Sequence, residues 1–215
     1  MIITLRNQQL INKLENTVEP EIVTFDDYRI IVNPGVFNPA WGEGSRILAM
    51  VKQFYIGDVL EIGTGSGAIA ILAAEKANKV VATDISIDAI HCAKENIQNN
   101  NLEHKVSLRH GSIFDALSED EQFDTIVINP PFLNGEVKKV IDFSYYDQDY
   151  KMLEDFFIGV KKHLKSTGNI YLCFGGVGDV GYLNYLIHIN QLKAQLICSE
   201  YMSNLNFFVY RINRI

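Results

Sequence analysis

A chain of 215 residues with 47% hydrophobic content can bury a sizeable core, and its length suits one doubly wound α/β unit. Its formal net charge of −7 argues against a large nucleic-acid footprint, which normally rests on a basic face. No apolar run reaches the roughly 18 residues of a membrane span, Met1 to Pro20 lacks a signal peptide's pattern, and Cys92, Cys173 and Cys198 show neither pairing nor metal-ligand spacing. A cytoplasmic protein with reduced thiols and no metal is expected.

Along the chain, Leu5, Leu10, Ile11 and Leu14 fall at helical spacing and predict a short helix over Thr4 to Asn16. Ile22 to Phe25 and Tyr28 to Val32 read as two strands of a hairpin around Asp26-Asp27, feeding a loop from Asn33 to Gly44. A helix from Ser45 to Tyr55, capped by Ser45, follows. Residues 1–44 are expected to pack on a main unit formed by residues 45–215.

From Asp58 onward strands and helices alternate. The pattern predicts strand Asp58 to Ile62, helix Gly67 to Ala77, strand Lys79 to Thr83, helix Ile87 to Asn99, strand Val106 to Leu108 and strand Thr125 to Ile128. It continues with helix Asp149 to Leu164, strand Asn169 to Phe174 and helix Val180 to Asn190. The segments Ala194 to Tyr201 and Asn206 to Ile212 close the chain as an antiparallel hairpin about Met202-Ser203-Asn204. Such alternation predicts a Rossmann-like, doubly wound, mostly parallel sheet with helices on both faces.

Two loops carry the chemistry. The first, Gly63-Thr64-Gly65-Ser66-Gly67, joins a buried strand to a helix; its glycines let the backbone approach a ligand, and the helix start offers free N–H groups. The next strand ends in Asp84, whose carboxylate can accept both hydroxyls of an adenosine ribose. Gly63, Gly65, Ala68 and Asp84 also satisfy the dinucleotide pattern G-x-G-x-x-G/A with an acid about 20 residues on, so this loop leaves a nicotinamide oxidoreductase open. Glu61 favours S-adenosylmethionine instead: an acid two residues before the first glycine suits an ammonium group and has no use beside a pyrophosphate. The second loop, Asn129-Pro130-Pro131-Phe132, follows the strand Thr125 to Ile128. The prolines fix the backbone, so the Asn129 side-chain oxygen and the Pro130 carbonyl form two acceptors for an –NH₂ group, with Phe132 able to stack on its planar carrier.

With these residues the chain resembles the class I S-adenosylmethionine-dependent methyltransferases, in the small-domain group that includes ribosomal RNA adenine and guanine N-methyltransferases and release-factor glutamine methyltransferases. Its marks are Glu61 through Gly67, Asp84, Asn129 through Phe132 and, more weakly, Val32 through Pro39. The resemblance implies S-adenosylmethionine held by Glu61, Gly63, Thr64, Gly65, Gly67, Asp84, Ile85, Ser112, Ile113 and Asn129. It also implies transfer of its methyl group to an amide or exocyclic amine held by Asn129, Pro130 and Phe132, in RNA or a protein glutamine. A partner protein that binds the cofactor without catalysis is a third reading. Two departures matter. Ser112 stands where many relatives carry an acid for the adenine amine, with Asp115 a candidate to compensate, and Phe132 replaces the tyrosine usual in the glutamine enzymes, which leans towards RNA. Lys138-Lys139 and Lys161-Lys162 with Lys165 are the candidate basic clusters, and Phe37, Trp41, Tyr145, Tyr146 and Asp147 are candidate pocket residues.

Overall fold

The computed structural model of the protein describes residues 5–215. Helix α1 (Leu5–Asn16) matches the expected N-terminal helix, whose first predicted residue, Thr4, lies outside the described residues. Strands β1 (Glu21–Phe25) and β2 (Tyr28–Val32) form an antiparallel hairpin in which Phe25 pairs with Tyr28 across a two-residue turn. The buried Asn96 ties this hairpin down: its Oδ1 accepts from the Ile31 N–H at 2.8 Å, and its Nδ2 donates to the carbonyls of Ile31 and Ser66 at 2.6 and 2.9 Å. One side chain thus links β2 to the glycine loop.

The main sheet comprises β3 (Gly57–Ile62), β4 (Ala77–Asp84), β5 (Val106–His110), β6 (Phe123–Ile128), β7 (Leu164–Gly175), β8 (Leu192–Met202) and β9 (Leu205–Arg214). Their order is β5-β4-β3-β6-β7-β9-β8, with the first five parallel and β9 antiparallel to both its neighbours. Helices α2 (Glu43–Ala49), α3 (Ala68–Ala74) and α4 (Ile87–Asn99) contribute to a core cluster on one face, while α5 (Lys151–His163) and α6 (Val180–Ile189) pack Leu153, Phe156, Phe157, Val160, Leu183 and Leu186 on the other. Burial of both faces explains the continuous apolar runs of the central strands. Phe25, Ile30, Val32 and Val36 join the first cluster, so the N-terminal segment shares the core of the main sheet.

Several boundaries differ from the sequence expectation. Ser45 does not cap α2; the helix starts earlier, at Glu43 with Gly42 in the cap position, and Ser45 is buried in its first turn, with a separate 3-10 turn at Lys52–Phe54. Helix α3 stops at Ala74 because the next residues enter β4 early, Ala77 pairing with Gly57, while the Lys105 ammonium caps the Ala74 carbonyl. Strand β7 begins at Leu164 rather than Asn169, since Leu164 already pairs with Phe123. These are long-range pairings, invisible to local periodicity.

Candidate active site

Reading across the sheet, β3 and β6 are neighbours although their chain connections depart in opposite directions, which makes their carboxyl ends the topological switch point where open α/β sheets bind ligands. Ile62 is in register with both Ile128 and Thr83, so the glycine loop, the Asn-Pro-Pro-Phe loop and Asp84 emerge side by side. They open into a cavity of about 730 Å³. Of the residues singled out from sequence, Glu61, Gly63, Thr64, Gly65, Asp84, Ile85, Ser112, Ile113, Asn129, Pro130 and Phe132 line it.

Gly67 does not. It sits in left-handed conformation (φ 82°) at the start of α3, where a Cβ would come within 3.0 Å of the Ala93 Cβ, so its small size serves helix packing outside the cavity lining. Gly63 and Gly65 differ: both have positive φ, and a Cβ on either would meet nothing within 4 Å. This part of the loop therefore faces the open cavity.

Electrostatics shape this half of the cavity. Glu61 is buried and accepts a 2.6 Å hydrogen bond from the Thr64 hydroxyl. Burial pushes its carboxyl up to about 8, against the lowering effect of Thr64, and nearby Asp84 raises it further. A buried acid that resists ionisation alone is suited to a cation arriving with the ligand. Asp84 Oδ2 accepts from the Gly65 N–H and Oδ1 from the Ser86 N–H, both at 2.8 Å, while the Ser86 hydroxyl caps α4 by accepting from the Ala89 N–H. Burial raises the Asp84 carboxyl and these backbone donors oppose it. A carboxylate offers about four acceptor positions, so Asp84 keeps acceptor capacity for a donor in the cavity. Ser112 and Ile113 reach the cavity from the loop after β5, Ile113 at a positive φ of 45°. Asp115 is exposed and lies outside the cavity lining, so it does not compensate for the missing acid.

On the opposite side stands Asn129. Its carboxamide lies over Gly44 of α2, and its Oδ1 is buried without a hydrogen-bond partner among the described residues. Pro130 is buried beside it. Phe132 is half-buried and held edge-on by Phe174 and Phe207, with ring centroids 6.1 Å away in each case. Its ring also rests on Gly175, so most of its contact is with the end of the sheet.

The side of the cavity around Asn129 is walled by residues far apart in sequence. Phe37 lies over Gly42, where a Cβ would come within 2.4 Å of its ring, and meets Tyr145 edge to face at 5.6 Å. Trp41 does not line the cavity; Lys13 sits 3.7 Å above its ring and Arg6 donates to its carbonyl. Helix α1 roofs this side through Asn7 and Leu10, anchored by Arg6–Glu43 and by Glu15–Lys139 at 2.6 Å. Asp147, a candidate pocket group, accepts from the N–H groups of Met152 and Leu153 at 2.8 and 3.0 Å, so it fixes the start of α5. Sequence reasoning missed Gly42, Gly44 and Leu10, which carry no chemical signal of their own.

The methyltransferase small domain family model matches residues 27–175, and the chain belongs to that family of S-adenosylmethionine-dependent methyltransferases. This separates the methyltransferase reading from the nicotinamide one that the glycine loop left open. Among curated proteins, the chain is 46% identical over 78 residues to a release factor glutamine methyltransferase of Rhodopirellula baltica, covering 35% of this chain and 26% of that protein. It is 37% identical over 169 residues to a bifunctional methyltransferase of Rickettsia typhi, covering 70% of this chain and 32% of the relative. The chain thus spans about a quarter to a third of these relatives. With a putative protein N5-glutamine methyltransferase of Methanocaldococcus jannaschii it shares 30% identity over 159 residues, 70% of this chain and 78% of that one. In fold it is similar to the 16S rRNA N2 G1207 methyltransferase of T. thermophilus solved with AdoMet and guanosine, with TM-score 0.69 and 18% identity over 91% of this chain and 50% of that one.

Proposed function

We propose that the protein methylates the nitrogen of a carboxamide, a glutamine side chain of a protein, using S-adenosylmethionine. The observation that carries this is the buried, unpartnered Oδ1 of Asn129 at the cavity wall. A buried polar atom without a partner costs about 1–3 kcal/mol, and an incoming –NH₂ group relieves that cost. S-adenosylmethionine, when bound, supplies an electrophilic sulfonium methyl group. Gly63, Gly65, Glu61 and Asp84 form its cradle, the acid pair matching an ammonium and two ribose hydroxyls.

Asn129 and the Pro130 carbonyl hold the amide nitrogen by its hydrogens. The amide lone pair is delocalised, and acceptors on its N–H groups favour the tetrahedral nitrogen as positive charge develops there; as the N–C bond forms the sulfonium–methyl bond would break, S-adenosylhomocysteine leaving as a neutral thioether and the nitrogen then releasing one proton to solvent. Fixed placement supplies much of the rest, since well-oriented reactants gain on the order of 7 to 11 kcal/mol.

Protein is favoured over RNA by charge. Among the described residues lining the cavity Lys151 is the one cation, and it pairs with Asp155. Lys138, Lys139, Lys162 and Lys165 each pair with an acid, Glu136, Glu15, Glu119 and Asp124, which leaves Lys161 as the one member of these clusters without an ion pair among the described residues, too small a patch for a phosphate backbone. The glutamine methyltransferases among the relatives support the same acceptor. Phe132 does not separate the two, because its ring is largely occupied by Phe174 and Phe207.

The test is methyl-labelled S-adenosylmethionine with extract of cells lacking the protein, followed by protease or nuclease digestion. Label released by protease as N-methylglutamine is the expected result; release by nuclease alone overturns the acceptor. Asn129→Ala should lower turnover at saturating cofactor at least about 100-fold, as for loss of an electrostatic stabiliser, beyond any weakening of cofactor binding that titration measures separately. Near-normal turnover in that variant would reject the clamp, and an absence of any transfer by the native protein would favour a non-catalytic partner.

A further inference from the structure

Tyr145 carries the second unmet hydrogen-bonding group of this cavity. Its hydroxyl is buried with no hydrogen-bond partner among the described residues, and Tyr145 lines the same cavity as Asn129. Burial also raises the phenol well above its ordinary value, so the hydroxyl keeps its proton and remains a donor. A buried tyrosine hydroxyl normally finds a partner, and one that does not calls for an explanation.

The surrounding frame shows that the position is built. Thirteen residues beyond Phe132 in the chain, Tyr145 returns to the Asn-Pro-Pro-Phe loop through backbone contacts. The Leu133 N–H donates to the Tyr145 carbonyl at 3.3 Å, the Asp147 N–H donates to the Leu133 carbonyl at 2.9 Å, and Leu133 and Tyr146 form a parallel bridge. Asp147 then locks the segment onto α5. On its other side the Tyr145 ring meets Phe37, which lies over Gly42, while Asn129 lies over Gly44. The two glycines at the start of α2 thus lie under Asn129 itself and under Phe37, the ring that Tyr145 meets, and both orphaned groups belong to residues lining one cavity.

Their chemistries are complementary. Asn129 Oδ1 can only accept, whereas the Tyr145 hydroxyl can donate. A carboxamide presents N–H donors and a carbonyl acceptor about 2.3 Å apart from one another on a single plane, and satisfying both ends fixes that plane. We propose that Tyr145 is a specificity-determining residue whose hydroxyl donates to the carbonyl oxygen of the methyl-accepting amide while Asn129 accepts from its nitrogen. This rests on the carboxamide reading above. It adds a preference that the clamp alone does not impose, for an acceptor that carries a hydrogen-bond acceptor beside its amino group over a simple alkylamine. The pair reads the whole amide.

The experiment uses the full chain, saturating S-adenosylmethionine, and N-acetylglutamine methylamide as the probe acceptor, comparing native protein with Tyr145→Phe. The ring and its contact with Phe37 are kept in this variant. We expect the KM for the probe to rise about 10-fold, the size of one neutral hydrogen bond, with kcat within about 3-fold and with cofactor affinity and Tm unchanged. A second reading needs no variant: the ring carbon bearing the Tyr145 hydroxyl, labelled with ¹³C, should shift when the probe is added to protein loaded with S-adenosylhomocysteine. An unchanged KM in Tyr145→Phe together with an unmoved ¹³C signal, while native protein methylates the probe, overturns the Tyr145 contact and leaves the carboxamide reading standing. Failure of native protein to bind or methylate the probe overturns both, and methylation of adenosine in its place transfers the site to a nucleobase.

Discussion

Replacing Gly44 by Ala tests whether the position of the Asn129 carboxamide, and not its mere presence, carries the chemistry. A Cβ at residue 44 would lie 2.5 Å from Asn129 Oδ1, 3.0 Å from Nδ2 and 3.1 Å from Cγ, against the 3.4 Å at which ordinary contact begins. The carboxamide must therefore move by about 0.9 Å. Misplacement of about 1 Å costs on the order of 100-fold in rate, equivalent to about 2.7 kcal/mol of barrier. Stability should not fall in parallel. Gly44 lies in α2 without positive φ, and Ala is favoured over Gly in a helix by up to about 1 kcal/mol, which offsets the local crowding. The expected outcome is a protein with native or slightly raised Tm, cofactor affinity within about 2-fold, and kcat/KM for the acceptor lowered about 100-fold. Calorimetric cofactor titration and single-turnover methyl transfer measure the two sides separately. Native kcat/KM in Gly44→Ala would refute the reasoning, because it would show that the carboxamide can shift without cost to the reaction.

The glycine loop and its acid give three further outcomes. Glu61 ordinarily titrates at 4.5 and is pushed up by burial to about 8, so between these values the folded chain holds a proton that the unfolded chain has released. Stability of the ligand-free protein should then fall as pH rises through that window, by about 1.4 kcal/mol per pH unit, while below 4.5 the group contributes no slope. Thermal denaturation from pH 5 to 8 should show the decline, and Glu61→Gln should flatten it; an equal slope in the variant would assign it elsewhere. Since an ammonium beside Glu61 favours the ionised acid, affinity for S-adenosylmethionine should rise over the same pH range in native protein and lose that dependence in Glu61→Gln. Gly65→Ala places a side chain at φ +55° and a methyl group in open cavity, costing roughly 1–2 kcal/mol of stability and lowering cofactor affinity at least about 10-fold by isothermal titration. Unaltered affinity would remove this loop from the cofactor site.

What the sequence disclosed and what it concealed divide along a physical line. Strands such as Thr125 to Ile128 announce themselves because both faces are buried, and Asn129 through Phe132 is legible because proline acts on its own backbone whatever surrounds it. Asp84 could be read because a carboxylate at a strand end has few structural uses. Gly67 looked like Gly63 and Gly65, yet its neighbour is Ala93 of α4 and theirs is open space; only the packing of helices distinguishes the three. The start of α2 was misread for a related reason. Ser45 offers a good local cap, but Glu43 is held by Arg6 and Ser203, 37 and 160 residues away, and this sets the helix one turn earlier. The same early start brings Gly42 and Gly44 beneath Phe37 and Asn129. The acceptor wall is therefore made by tertiary pairings between residues with no pattern in common, while the cofactor cradle is made by one strand-loop-helix unit and its neighbour. Such a division lets the cradle remain fixed while substitutions at positions 37, 42, 44 and 145 alter what is methylated. On the proposed carboxamide reading, the choice of acceptor is accordingly to be tested at those four residues and at Asn129, and the affinity for cofactor at Glu61, Gly63, Gly65 and Asp84.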